Sequence, residues 1–289
     1  TTSQPDELVI GAIGTRGGIA SSPLNGFSIL DQVSQGNAGA AVFLEKKVTA
    51  TAAYTSSITT PASGNAAGAI ATFKAGTTTP HPPLLVQKAK NTGGTSVNVT
   101  WPAPTTSGNL LIAVVSNGRN TGTPGFVTAP SGWTRAESGV HSGEGGPRAS
   151  LYFRENAPSQ TTTGNWTMTG AGSGIAIVVA EYRGMVTTST VIDRRGHIGD
   201  QASPITGNTS VTAAPLELAI GSISTHAAGP ASSPMNGFTI VDQISHGGNG
   251  GTAVFLERIV YYEASYGTGA TTAAADQSAG CIATFRIVP

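Results

Sequence analysis

The sequence predicts an all-β protein made of tandem β-sandwich repeats, jelly-roll or Ig-like, and three observations lead there. The first is composition: 39 of 289 residues are glycine and only 10% are charged. Gly costs about 1 kcal/mol in a helix interior relative to Ala, and Ser, Thr and Asn do better in strands and turns. The second is pattern. Apolar runs of about 5 to 9 residues, rich in Val, Ile, Phe and Thr, are separated by Gly, Pro, Ser and Asn clusters, which reads as strands joined by turns. The third is repetition: "SSPLNGFSILDQVSQGNAGAAVFLE" from Ser21 returns as "SSPMNGFTIVDQISHGGNGGTAVFLE" from Ser232.

The strong pair aligns from "DELVIGAIG" (Asp6 to Gly14) with "LELAIGSIS" (Leu216 to Ser224) through to "AGAIATFK" (Ala67 to Lys74) with "AGCIATFR" (Ala279 to Arg286). A weaker copy between them has the same parts in the same order: "NLLIAVVS" from Asn109, "PSGWTRAES" from Pro130, "ASLYFREN" from Ala149 and "GIAIVVAEYRG" from Gly174. The last two copies each carry a lead-in, "LLVQKAKN…SVNVTWPAP" (Leu84 to Pro104) and "TVIDRRGHIG…NTSVTAAP" (Thr190 to Pro215), which makes the full repeat about 105 residues. Three repeats follow, at 1–76, 84–186 and 187–289. The first lacks the two-strand lead-in, so its sandwich is short of strands and offers an edge for pairing; a longer parent chain is the expectation that fits.

Within the repeats, runs such as Ile175 to Tyr182 are apolar at successive positions, so these strands are central or covered on both faces. Phe27, Trp133 and Phe238 each follow a Gly where a Pro-containing loop enters a strand, which places the aromatic at one end of a core. The prolines of Ala75 to Pro83 make an extended linker, whereas only Met185 to Ser189 joins the second and third repeats, which are therefore expected to pack as a pair.

The phrasing "APSGWT" (Ala129 to Thr134), "AEYRG" (Ala180 to Gly184) and "IATFK" (Ile70 to Lys74) resembles the tandem Gly/Ser/Thr-rich β-sandwich repeats of phage virion proteins and of bacterial secreted or surface proteins. That resemblance implies a structural role in an extracellular or virion setting, with other structural proteins or further copies of the chain as partners, and it carries no shared catalytic residues.

Several function classes are disfavoured. Net charge is zero and no basic run occurs, so nucleic acid finds no electrostatic footprint. No apolar run approaches the ~20 residues needed to span a bilayer. There is no G-x-S-x-G elbow, no H-E-x-x-H, no P-loop and no cysteine pair, so neither an enzyme, a cofactor nor a metal is expected. His81, His141, His197, His226 and His246 fall in turn-like contexts and read as loop surface. Cys281 stands where the first repeat has Ala69 and reads as a small buried hydrophobe.

What remains are recurring or divergent positions. An acid persists at Asp31, Glu137 and Asp242, suited to turn amides or to a neighbouring base. Lys74, Arg183 and Arg286 each follow an aromatic (Phe73, Tyr182, Phe285), which predicts a buried ring with a cation at the rim. Tyr266 matches Tyr54, but Tyr261 and Tyr262 replace Thr49 and Ala50, and all three are candidates for an interface or a glycan contact unless they pack against the second repeat. Trp101, Trp133 and Trp166 fall together in the middle repeat, where a sugar-stacking row is the lesser reading beside core packing. Sequons at Asn98, Asn165 and Asn208 permit glycosylation in a secreted setting.

Overall fold

The computed structural model describes residues 2, 7–16, 22–35, 39–60, 65–74, 82–118, 122–143, 145–170, 172–187, 191–226, 230–247, 250–272 and 277–288. Among them there is no α-helix, and every strand pairing is antiparallel. The chain forms two compact units, Thr1–Thr79 and Pro80–Pro289. Most of the linker expected over Ala75 to Pro83 lies outside the described residues, as do Thr1 and His81.

The second unit holds two copies of one strand plan. The first copy comprises β7 (Leu84–Gly93), β8 (Ser96–Thr100), β9 (Leu110–Gly118), β10 (Phe126–Thr128), β11 (Thr134–Val140), β12 (Arg148–Arg154), β13 (Thr162–Thr169) and β14 (Gly174–Arg183). A long sheet in the order β11-β12-β9-β14-β7 faces a short one, β10-β13-β8. First pairs with last and second with seventh, the nested wrapping of a jelly roll. The second copy repeats it with β15 (Ile192–Gln201), β16 (Ile205–Asn208), β17 (Glu217–Thr225), β18 (Ala231–Ser232), β19 (Thr239–Ser245), β20 (Thr252–Val260), β21 (Gly267–Gly269), β22 (Thr271–Thr272) and β23 (Ser278–Arg286). Its long sheet runs β19-β20-β17-β23-β15, and its short layer is the two pairs β16-β21 and β18-β22.

The first unit follows the same plan with fewer strands. It has β1 (Glu7–Thr15), β2 (Ser22–Pro23), β3 (Ser28–Ser34), β4 (Ala40–Val48), β5 (Ile58–Thr59) and β6 (Ala66–Lys74). The sheet is β3-β4-β1-β6, and β2 pairs with β5. Among the described residues nothing stands where β7 and β15 flank β14 and β23, so β6 is an edge strand.

Each sandwich is closed by the aromatic that follows the glycine turn. Phe27, Trp133 and Phe238 are all buried, and their amides bond back to the carbonyls of Leu24, Pro130 and Met235. In "NG" both turn residues take positive φ, 58° and 72° at Asn25 and Gly26 and 56° and 72° at Asn236 and Gly237, which favours Asn-Gly over other pairs. A cation from the neighbouring long strand clamps the turn: Lys46 Nζ reaches Asn25 O at 2.7 Å, and Arg258 Nη1 reaches Asn236 O at 2.6 Å. In the middle repeat the core is aromatic, with the Trp133 ring tilted and the Tyr152 ring edge-on against Trp166 at 5.1 and 5.2 Å. All three tryptophans are buried, so they form no exposed stacking row.

Entry to each sandwich is pinned by a threonine. Thr105 and Gln160 exchange two bonds through the Thr105 amide and Oγ1, Thr212 does the same with Ala264, and Thr2 with Ala52. Nearby, the fully buried Glu217 carboxyl is pushed up to about 7, first by burial and then by the Asp193 carboxylate beside it. Because the folded value lies above the unfolded one, the folded state holds this proton longer. Stability is then fullest below the unfolded pKa of 4.5 and is lost as pH rises towards about 7. Thermal melts of the wild-type chain from pH 5 to 7.5 should show the second unit losing stability, and Glu217→Gln should flatten that slope; an unchanged slope in the variant would contradict the assignment.

Candidate interface

The two long sheets of the second unit are apolar at successive positions because each is buried twice. One face of β9 and β14 supplies Leu111, Ala113, Val115, Ile175, Ile177 and Val179 to the core inside its own sandwich. The other face, with Leu110, Ile112, Val114 and Val178, meets Leu218, Ile220, Phe255 and Phe285 of the opposite sheet in one continuous core. Within the second unit the two long sheets pack face to face.

The packing has an approximate two-fold relation. β9 crosses β17; β11 lies on β15 and β23 while β19 lies on β7 and β14; β12 lies on β23 and β17 while β20 lies on β14 and β9. Equivalent residues therefore make equivalent contacts, as in an isologous dimer. Ser116 and Ser224, which align in the repeat, hydrogen-bond to each other. Tyr182 donates to Glu257 Oε2 at 2.6 Å, and in the matching place Phe285 meets Phe153 edge-on at 6.0 Å. Gly139 lets the backbones close in: a Cβ there would sit 2.3 Å from Gly280 O and 2.4 Å from Ile198 O.

The recurring acid belongs to this seam. Each copy sits at a β-bulge, where the register shifts between Ile29 and Asp31, Arg135 and Glu137, and Ile240 and Asp242. Each carboxylate accepts the next backbone amide, at 2.7 Å for Asp31, 2.9 Å for Glu137 and 2.8 Å for Asp242. In the second unit the acids also reach across to the first strand of the opposite repeat. Asp242 lies 2.8 Å from Lys90 Nζ and 3.6 Å from Lys88 Nζ, and Glu137 lies 3.3 Å from His197 Nδ1 and 3.9 Å from Arg195 Nε. Lys88 aligns with Arg195 and Lys90 with His197, so the two clusters are images of each other. Burial alone would raise Asp242, but the Lys90 hydrogen bond and the Gln243 amide hold it below its ordinary value. With half-exposed cations the Lys88, Lys90 and Arg195 pairs contribute under about 1 kcal/mol each and fix register more than they hold the sheets. His197 is thus a strand residue facing an acid, not loop surface.

In the first unit the same face is present without its cover. Phe43, Phe73 and Leu30 are 47%, 55% and 58% exposed, whereas their counterparts Phe255, Phe285 and Val241 are 0%, 0% and 7% exposed. Leu8 and Val33 are exposed on the same face, opposite in fate to Leu218 and Ile244. The expected buried ring with a rim cation therefore holds for Tyr182 and Phe285 and fails for Phe73, because burial there needs a second sheet; the Lys74 side chain lies outside the described residues.

The tyrosines divide. Tyr266 is buried in its sandwich core, its hydroxyl bonded to the Tyr262 carbonyl, so it is structural. Tyr261 and Tyr262 are exposed, and Tyr261 lines a groove of about 300 Å³ with Pro83, Leu85, Glu257 and Arg258 at the margin of the seam. Cys281 is buried in the seam, its thiol pushed up to about 12 by burial. The sequon residues Asn98, Asn165 and Asn208 are exposed, the first two as cross-strand neighbours. Among the described residues no three His, Cys, Asp or Glu side chains converge as a metal site, and no helix is long and apolar enough to cross a membrane. Lys88, Lys90, Arg195 and His197 were not singled out from sequence as partners of the acids; their signal was a repeated basic pair two residues apart in each lead-in.

Comparison of the chain with models of known protein families, with curated proteins and with solved structures finds no match.

The paired faces imply a contrast between equivalent residues. Phe255→Ala should destabilise the second unit by about 3 to 5 kcal/mol, the usual range for a fully buried ring. Phe43→Ala should cost the first unit only about 1 to 1.5 kcal/mol, since about half of that ring's surface stays in water. Hydrogen exchange by mass spectrometry, read separately over β4 and β20, checks both; equal costs would mean that the first unit's face is covered.

Proposed function

We propose that the chain is a structural, non-enzymatic subunit of an extracellular filament or of a phage virion, as in a tail or decoration layer, assembling through sheet faces and edges. The observation that supports this reading is the open face of the first unit. It carries the apolar residues that the third repeat buries against its neighbour, and an exposed apolar group of this kind suits a docking patch. Its natural partner is another long sheet of the same plan, with basic residues on its outermost strand placed to meet Asp31 as Lys88 and Lys90 meet Asp242. A surface with few charges permits such packing with little desolvation cost.

A second reading, an adhesive or carbohydrate-binding surface protein, is favoured by exposed Tyr261 and Tyr262 beside the groove at the seam. Light scattering and electron microscopy of the purified chain separate the two. The assembly reading expects concentration-dependent ordered oligomers that the double variant Phe43→Ser, Phe73→Ser disperses. A monomer at every concentration that binds glycans, and loses them with Tyr261→Ala, would sink it in favour of adhesion.

A further inference from the structure

We propose that the first unit is a strand acceptor, built to receive a β-hairpin of the kind that β15 and β16 form in the third repeat, supplied by polypeptide outside residues 1–289. This is a different surface from the open outer face, so either proposal can fail without the other.

The receiving site has an edge and a cleft. Along the edge, β6 pairs with β1 alone among the described residues, and Ala66 to Phe73 are exposed throughout. Its counterpart β23 is flanked by β15, with Ile192 opposite Phe285, Arg195 opposite Ala283 and His197 opposite Cys281. The cleft lies on the inner side of the same strand. It has a volume of about 430 Å³, a floor of Ile13 and Ala66 to Ile70, and a wall of Tyr54 to Ile58. That wall aligns with β21, the strand to which β16 pairs through Ile205 opposite Gly269 and Asn208 opposite Gly267. Edge and cleft together have the form of β15 and β16 removed. Ile70 shows the consequence: it is 44% exposed, while its counterpart Ile282 is buried in the sandwich core.

A glycine inside the strand gives the second, independent sign. In β23, Gly280 is required because Ile205 O passes 2.0 Å from where its Cβ would stand, and Thr206 Cα 2.7 Å from it. Among the described residues its counterpart Gly68 has no such neighbour: a Cβ there would meet Ala12 O at 3.3 Å and Ile13 Cγ1 at 3.4 Å, both on the adjoining strand. Gly weakens a strand interior unless something passes close to it. At Gly68 that something is missing from the unit and present in its twin.

The occupant's chemistry follows from the twin. It is an extended, two-stranded segment: one strand runs antiparallel to β6 along its free amides and carbonyls, and the other passes over Gly68 and pairs with Thr55 to Ser57. Strand addition of this type takes affinity from main-chain bonds and specificity from side-chain pockets. Among the described residues no such hairpin is free, because β7 and β8 are held by β14 and β13, and β15 and β16 by β23 and β21. A second copy of the chain would have to expose its own β23 to lend one.

The test is a titration of the full chain with a synthetic peptide of the sequence from Val191 to Thr212, followed by hydrogen exchange over β6 and β23 and by calorimetry. The expected result is saturable binding that slows exchange of the Ala66 to Lys74 amides about tenfold or more, leaves β23 unchanged, and is not reproduced by a scrambled peptide. Gly68→Ala, whose Cβ would press on Ala12 O at 3.3 Å without a steric overlap, should weaken binding about tenfold or more by placing a Cβ in the path of the incoming strand, and unaltered β1 and β4 exchange checks that the unit still folds. Ile70→Ser provides a second variant that weakens binding from the cleft floor. No protection of β6, or equal binding by Gly68→Ala, would overturn the proposal. So would β6 protection that grows with chain concentration in the Phe43→Ser, Phe73→Ser variant without peptide, because with the outer face disabled the occupant would then be a strand of a second copy.

Discussion

A sheet whose strands are apolar on both faces must be covered twice, and the architecture of this chain follows from how that requirement is met. In the second unit each long sheet closes one face with its own small sheet and the other with the long sheet of its neighbour, giving two inner cores and a shared one. At roughly 25 cal/mol per Å² of apolar surface buried, covering a second face is a large term beside the few kcal/mol by which domains are stable. Hydrogen bonds and ion pairs at the seam select register: the short Ser116–Ser224 contact sits where β9 and β17 cross, and an acid at a bulge sits at either end.

The first unit meets the requirement on one face only. Val9, Phe27, Val42, Leu44 and Val48 make an inner core, helped by Ile13, Ile29, Tyr54 and Ile58. Its outer face, its β6 edge and the cleft beside Gly68 retain the residues of a covered sandwich. The edge and the cleft lie where the twin carries two further strands, and the outer face where it carries a second long sheet; among the described residues the first unit has neither.

Much of this was legible in the sequence. The duplicated segment, the succession of strands along the chain, the aromatic plugs and the short first repeat all follow from matching runs such as "AGAIATFK" and "AGCIATFR", but the order of strands within each sheet does not. The rest was hidden for a physical reason: period and hydrophobicity state that a residue suits burial, not what lies against it. Phe73 and Phe285 occupy nearly identical local sequence yet are 55% and 0% exposed, because the difference is made by a sheet more than a hundred residues away. The partners of Asp242 were likewise concealed, since Lys88 and Lys90 alternate with apolar residues along β7 as any solvent-facing lysines would. Tyr261 and Tyr262 showed as added aromatics, but only the fold separates them from Tyr266, which is core.

The central claim is that one strand plan is closed in the second unit and open in the first. Amide hydrogen exchange of the dilute chain, compared between Ala66–Lys74 and Ser278–Arg286, tests it most directly. The account predicts that the edge strand of the first unit exchanges by local opening, about a hundredfold or more faster than its counterpart, which should exchange only as the second unit unfolds. Matching protection of the two strands in the monomer would contradict it.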